Sequence, residues 1–320
     1  MIKSFFWSKR WAVWAWGGAT ALLASIYAQV YMSVLFNRWY GEFYTMMQKI
    51  HLHTVNEFYD SLWYFVTIAL IYTGLATLTG YFTRLYSFRW REAMTFYYIP
   101  LWRISSAKIE GASQRIQQDT ERFSRIVEGL GLQVVRAIMT LIAFLPLLWG
   151  MSEGMDVPLF GTASGNLVWC ALTISIGGMV ISWFVGIKLP GLEYNNQVVE
   201  AAYRKELVKG EDNKIFATLS ELTKLFLGLK INYHRLFLHY GYFDLWVHTF
   251  DQSLVILPYL IAGPAMFKGL ITLGIVVQIA NAFGKVHESF SLFIHNWTVV
   301  TELRSIWKRL HEFQHAIKPV

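Results

Sequence analysis

Residues 11–37 read WAVWAWGGATALLASIYAQVYMSVLFN, bounded by Arg10 and Arg38 and free of charged side chains. A helix needs roughly 20 mostly apolar residues to cross the hydrocarbon core of a bilayer, so this run is long enough to cross with tilt. A secretory signal has a shorter apolar core and a small-residue cleavage site. This run is too long and too rich in tryptophan for that, and is expected to remain in the mature protein. The composition of the whole chain agrees. Of its 320 residues, 55% are hydrophobic, 17% aromatic and 15% charged, against roughly 25% charged in soluble domains. Such a chain cannot cover a water-facing surface with polar groups, so its solvent is lipid.

Working outward, residues 62–83, between Asp60 and Arg84, form a second span, and residues 167–187, ending at Lys188, a fourth. The third, 129–152, carries Pro146, and Arg136 near its start, where the side chain can snorkel to the interface. The fifth, 236–266, holds His239, Asp244, His248 and Asp251 in its first half. The sixth, 269–300, begins as a charge-free run and continues through Lys285 and Glu288. Gly263-Pro264 is expected to turn the chain between the last two. The expected fold class is therefore all-α, a polytopic membrane protein of about six transmembrane helices forming a single transporter domain.

The net charge of +7 is an orientation signal rather than a nucleic-acid footprint, because the basic residues are concentrated between particular spans. Segments 1–10, 84–136, 188–235 and 304–318 hold 3, 9, 8 and 4 lysines and arginines; segments 38–61, 152–166 and 261–268 hold 2, 0 and 1. The first set is expected to face the cytoplasm, with both termini inside. The two long basic connections are poor in glycine and proline, so they read as helices projecting from the membrane.

The chemical motifs are few. There is no GxxxxGK[ST] to cradle nucleotide phosphates, and the chain ends just beyond the sixth span, where an ABC protein would begin its ATPase. Energy is expected from an ion gradient, from a separate ATPase subunit or from the solute. His311-Glu312-Phe313-Gln314-His315 fits HExxH, the helical zinc-hydrolase spacing, but only Ala-Ile-Lys-Pro-Val follows and no third ligand is available there. No metal or other cofactor is expected. His51 and His53 read as solvated loop residues, and the lone Cys170, inside an apolar run, as a small buried hydrophobe.

Ionisable residues inside spans are more telling. A charge at the bilayer centre costs from about 2.5 to over 10 kcal/mol, so such groups face a bundle interior or a water-filled cavity. Asp244, His248 and Asp251 are spaced i, i+4, i+7, on one helical face. Gln278, Asn281, Lys285 and Glu288 repeat the pattern on the sixth span. A polar cavity lining is the preferred reading; interhelical salt bridges that only fix packing are the alternative.

Six spans with long helical extensions after the second and fourth resemble the membrane domain of an ABC exporter. Phe88-Arg89-Trp90-Arg91, Gln114-Arg115-Ile116 and Asp119 resemble the first cytoplasmic loop of the peroxisomal ABC transporters and their bacterial relatives. GIKLPGLE at 186–193, VEAAYRKEL at 199–207 and GED at 210–212, with AIMTLIAFLP at 137–146 and ITLG at 271–274, closely resemble the SbmA/BacA peptide transporters, from about Gln29 to His315. That resemblance implies a homodimer in the bacterial inner membrane that imports peptides and peptide-like antibiotics on the proton gradient, and no enzyme. The first span aligns late in the family's longer members, so their additional N-terminal membrane segments are expected to be missing. Asp244 stands where those members carry Asn after His-Tyr-x-Tyr-Phe.

The resemblance also draws attention to Glu193, Gln197, Glu200 and Arg204, a single-face series that position alone would assign to a solvated surface. Glu193 and Glu200 become the leading candidates for proton coupling, with Glu206 behind them and Asp244, His248, Asp251, Lys285 and Glu288 secondary. Arg115, Asp119 and Glu211 are the loop residues the family motif singles out. Two further readings are a membrane subunit that recruits a separate ATPase and a membrane-bound zinc hydrolase built on His311 and His315.

Overall fold

Residues 1–105, 111–153, 155–157, 161–213 and 215–317 are described in a computed structural model. Among them the chain is helical, with one isolated β-bridge between Val157 and Gly161. A short α1 (Ile2–Phe6) precedes α2 (Ala12–Gln48) and α3 (Val55–Ile104); α4 (Ala112–Gln114) and a π-helical turn, Arg115–Asp119, lead into α5 (Thr120–Met151). Then follow α6 (Asn166–Gly186), α7 (Leu189–Asp212), α8 (Leu219–Phe267), α9 (Leu273–His295) and α10 (Trp297–Ala316).

Helix starts follow side-chain chemistry. Thr54 accepts from the Glu57 amide at 3.3 Å and Thr218 from the Glu221 amide at 3.3 Å, while each threonine hydroxyl also meets its glutamate. Both are T-x-x-E caps that satisfy orphan amides. The 50-residue α3 is on the order of 75 Å long at 1.5 Å per residue, far beyond the roughly 30 Å hydrocarbon core. It is the helical projection expected from the basic connection after the second span, and α7 is its counterpart after the fourth. Parts of the two connections, 106–110 and 214, and of the expected outer connection, 154 and 158–160, lie outside the described residues.

Five helices among the described residues are long and apolar enough to cross a membrane: Ala12–Gln48, Val55–Ile104, Ala112–Met151, Asn166–Glu211 and Leu219–Phe267. The expected sixth span forms a helix, α9, but is not one of these five, since Gln278, Asn281, Lys285 and Glu288 interrupt its apolar run. The expected turn at Gly263-Pro264 is overturned. Helix α8 continues through Pro258 and Pro264 to Phe267, and the chain turns at Gly269, whose φ of 73° is left-handed and suits a residue without Cβ. Thr272 then caps α9.

The chain divides into two units, Met1–Thr173 with Pro258–Val320, and Ile174–Leu257. In the first, α9 packs against α2 and α5. Its start is tied to the far end of α2: Thr45 and Thr272 hydroxyls meet at 2.8 Å, and the Leu273 amide donates to the Gln48 side-chain oxygen at 2.8 Å. Glycines make the approach. A Cβ on Gly274 would overlap the Gly41 carbonyl, and one on Gly41 would overlap the Gln278 side chain. Helix α10 then ends beside the chain's beginning, where the Met1 amine donates to Gln314 at 3.1 Å. That end is an aromatic core: Phe5 stacks on Trp90 at 5.5 Å, Tyr98 meets Phe313 edge-on, and the Tyr86 hydroxyl donates to the Ala15 carbonyl at 2.9 Å.

In the second unit α7 runs antiparallel to the first part of α8. Trp246 donates to the Ser182 hydroxyl at 2.9 Å, and the Phe250 ring occupies the space a side chain at Gly178 would need.

Candidate functional site

The seam between α7 and α8 holds the two leading carboxylates. Tyr233 donates to Glu200 at 2.9 Å, and Tyr240 faces Glu193 across the same seam. In both helices the pairs are seven residues apart, or about 10.5 Å along the axis. Because the helices are antiparallel, the earlier glutamate meets the later tyrosine, giving two rungs of one ladder. Asp244 lies one helical turn beyond Tyr240 on α8, on the side of the seam where Glu193 sits. Both glutamates are half-buried, which holds them in fixed geometry without sealing them from protons.

The other expected residues divide. His248 and Asp244 are exposed and Asp251 half-buried on the same face of α8. Glu206 is bound locally to Lys209 at 2.8 Å, and Glu211, Gln197 and Arg204 are exposed. Lys285 and Glu288 pair with each other at 2.8 Å within one turn of α9, and Gln278 is consumed in packing on Gly41. They belong to the first unit, where Gln278 lies against α2 and Lys285 and Glu288 form an exposed ion pair within α9. Of the HExxH residues, His311 and His315 have ring centroids 4.5 Å apart, while Glu312 faces Lys308 at 4.0 Å. Among the described residues no three metal-binding side chains converge.

Arg115 and Asp119 form a structural knot. The Asp119 carboxylate, 2% exposed, accepts from Arg309 of α10 at 2.8 and 3.0 Å and from Arg115 at 2.9 Å. Burial pushes its pKa up, but the hydrogen bonds from Arg309 and Arg115 outweigh this and hold it below the usual carboxylate value. Arg309 was not anticipated; nothing in its local sequence marks a partner 190 residues away. Glu128 was also missed. It is 7% exposed, and its Oε1 has no partner among the described residues. A third span of 129–152 begins one residue later and leaves Glu128 in the basic connection.

Together these features define a multi-pass, all-helical membrane protein with a braced acidic seam. Residues 8–318 match the SbmA/BacA-like family, and the chain belongs to it. It is similar to the inner membrane ABC transporter ATP-binding protein YddA of Escherichia coli, 26% identical over 91% of this chain and 55% of that protein. It is also similar to the chloroplastic ABC transporter D family member 2 of Arabidopsis thaliana, 26% identical over 93% of this chain and 42% of that protein. The chain thus spans about half the length of the curated relatives it matches.

Proposed function

We propose that this protein is a bacterial inner-membrane transporter that imports peptides and peptide-like antibiotics, working as a homodimer on the proton gradient. Membership of the SbmA/BacA-like family supports the class. The observation that carries the coupling step is the ladder: two carboxylates on one face of α7, Glu200 held by the Tyr233 hydroxyl at 2.9 Å and Glu193 faced by Tyr240 one rung on. A proton on Glu200 removes the charge that the Tyr233 hydroxyl stabilises, and so loosens α7 from α8; Glu193, on the same face, is the second coupling carboxylate. Binding that differs between two conformations shifts their populations by about 1.4 kcal/mol for each pKa unit of difference, and two rungs with Asp244 nearby multiply the effect. Asp244 and His248 are exposed in the single chain; on a spanning helix they need a water-filled cavity, which a two-fold partner encloses.

The test is uptake of a labelled peptide into sealed vesicles under an imposed proton gradient without ATP, with native mass measured in mild detergent. Uptake that collapses with a protonophore, by a dimer, is the expected result. Gradient-independent uptake, or an active monomer, refutes it. The second reading, a membrane subunit served by a separate ATPase, is favoured by the names of the relatives, which are ATP-binding ABC transporter proteins. Co-purification of a nucleotide-binding subunit and uptake that requires ATP would establish it instead.

A further inference from the structure

In the first unit a cavity of about 370 Å³ opens between α2, α3 and α5. Its polar side is Arg136, Gln29 and Thr83; Ile26, Tyr72 and Leu132 supply apolar wall. The polar side is rigid. Gln29, 2% exposed, donates through its side-chain amide to Thr79 at 2.8 Å, which turns its oxygen toward Arg136, whose Nη2 donates to it at 2.8 Å. That is the one hydrogen bond Arg136 makes among the described residues, and no carboxylate there pairs with it.

A guanidinium carries five donors, and Gln29 takes one. A tether from α5 to α2 needs no charge: a glutamine at 136 would supply an N–H for Gln29 without the cost of placing a cation among apolar walls. What a guanidinium adds is a planar fork for an oxyanion. Gln29 orients that fork from behind, and the apolar walls beside it accept hydrocarbon. The volume falls within the range of small-molecule sites.

We infer that the α2–α3–α5 cavity binds the oxyanion headgroup of an amphiphile, phosphate or carboxylate, on Arg136, with its hydrocarbon against Ile26, Tyr72 and Leu132. This is separate from the ladder and does not depend on what the protein transports. The headgroup belongs either to an anionic phospholipid or to a free alkyl carboxylate.

The experiment is thermal unfolding of the full chain in neutral detergent, titrated with phosphatidylglycerol, phosphatidylcholine, dodecanoate and dodecanol. A saturable rise in unfolding temperature is expected with an anionic amphiphile and not with its neutral counterpart. Phosphatidylglycerol acting alone identifies a lipid headgroup, dodecanoate alone a free carboxylate, and both together the shared oxyanion chemistry. Arg136→Gln is expected to weaken the apparent affinity at least about tenfold, the scale of one charge-assisted hydrogen bond. Should that variant fold poorly, Leu132→Trp fills the cavity while keeping the charge, and is expected to abolish saturation. Equal responses to charged and neutral amphiphiles, or an anion response that survives Leu132→Trp, overturn the inference.

Discussion

Replacing Asp119 by alanine cuts the tie between the start of α5 and the last helix. The carboxylate is 2% exposed and accepts three charge-assisted hydrogen bonds, two from the Arg309 fork at 2.8 and 3.0 Å and one from Arg115 at 2.9 Å. Removing one partner of a fully buried ion pair costs about 3–5 kcal/mol. Here the two arginine side chains are 33% and 24% exposed, so once released they recover part of their hydration. The expected loss is therefore about 2–3 kcal/mol. Thermal unfolding in mild detergent measures it, and a double-mutant cycle with Arg309→Ala isolates the pair. The two single losses are expected to fall short of additivity by at least about 1 kcal/mol. The sign with pH follows from the depressed pKa. Stability from this carboxylate is complete above its ordinary value of 3.8 and drains away as pH falls below that, through the lower folded value. Asp119→Ala is thus expected to flatten the acid limb of the stability profile below about pH 4. Additive losses within about 0.5 kcal/mol, or an unchanged acid limb, would refute the reasoning.

Tyr233→Phe and Tyr240→Phe keep the rings and delete the donors. Each is expected to shift the pH dependence of uptake, and the pair to shift it further; an unchanged profile removes the ladder from coupling. Gly274→Ala is expected to destabilise the α2–α9 contact by about 1–3 kcal/mol, because its methyl meets the Gly41 backbone, which cannot rotate aside. Glu128→Gln is expected to leave stability unchanged or raise it by about 1 kcal/mol, since it relieves a buried carboxylate oxygen without a partner. A clear loss would reveal a partner for that oxygen. A cysteine at Thr162 in a Cys170→Ala background is expected to label from the periplasmic side, as the basic-residue pattern requires; labelling only after the inner membrane is breached reverses the orientation.

The sequence by itself determined what depends on runs and short spacings. Uninterrupted apolar stretches define membrane-length helices whatever their neighbours, because a spanning backbone must satisfy its own hydrogen bonds within the segment. The helical projections beyond the second and fourth spans were legible for the same local reason, and the T-x-x-E caps that the structure shows at Thr54 and Thr218 are equally local chemistry. The i, i+4, i+7 spacing also placed Glu193 and Glu200 on one face before their partners were known. Only the tertiary structure decided which faces meet. Tyr233 and Tyr240 are ordinary aromatics in sequence, and come to face the two glutamates because an antiparallel return reverses the order of the two pairs, with Tyr233 bonded to Glu200. The α9 series has the same spacing as the α8 series, yet Gln278 packs on a glycine of α2 and Lys285 pairs within its own turn. Spacing identifies a face; it carries no information about what lies opposite. Arg136 shows this most clearly, since a rule for isolated helices sends its charge to the interface. In the folded chain Gln29, 107 residues away, holds it at a cavity.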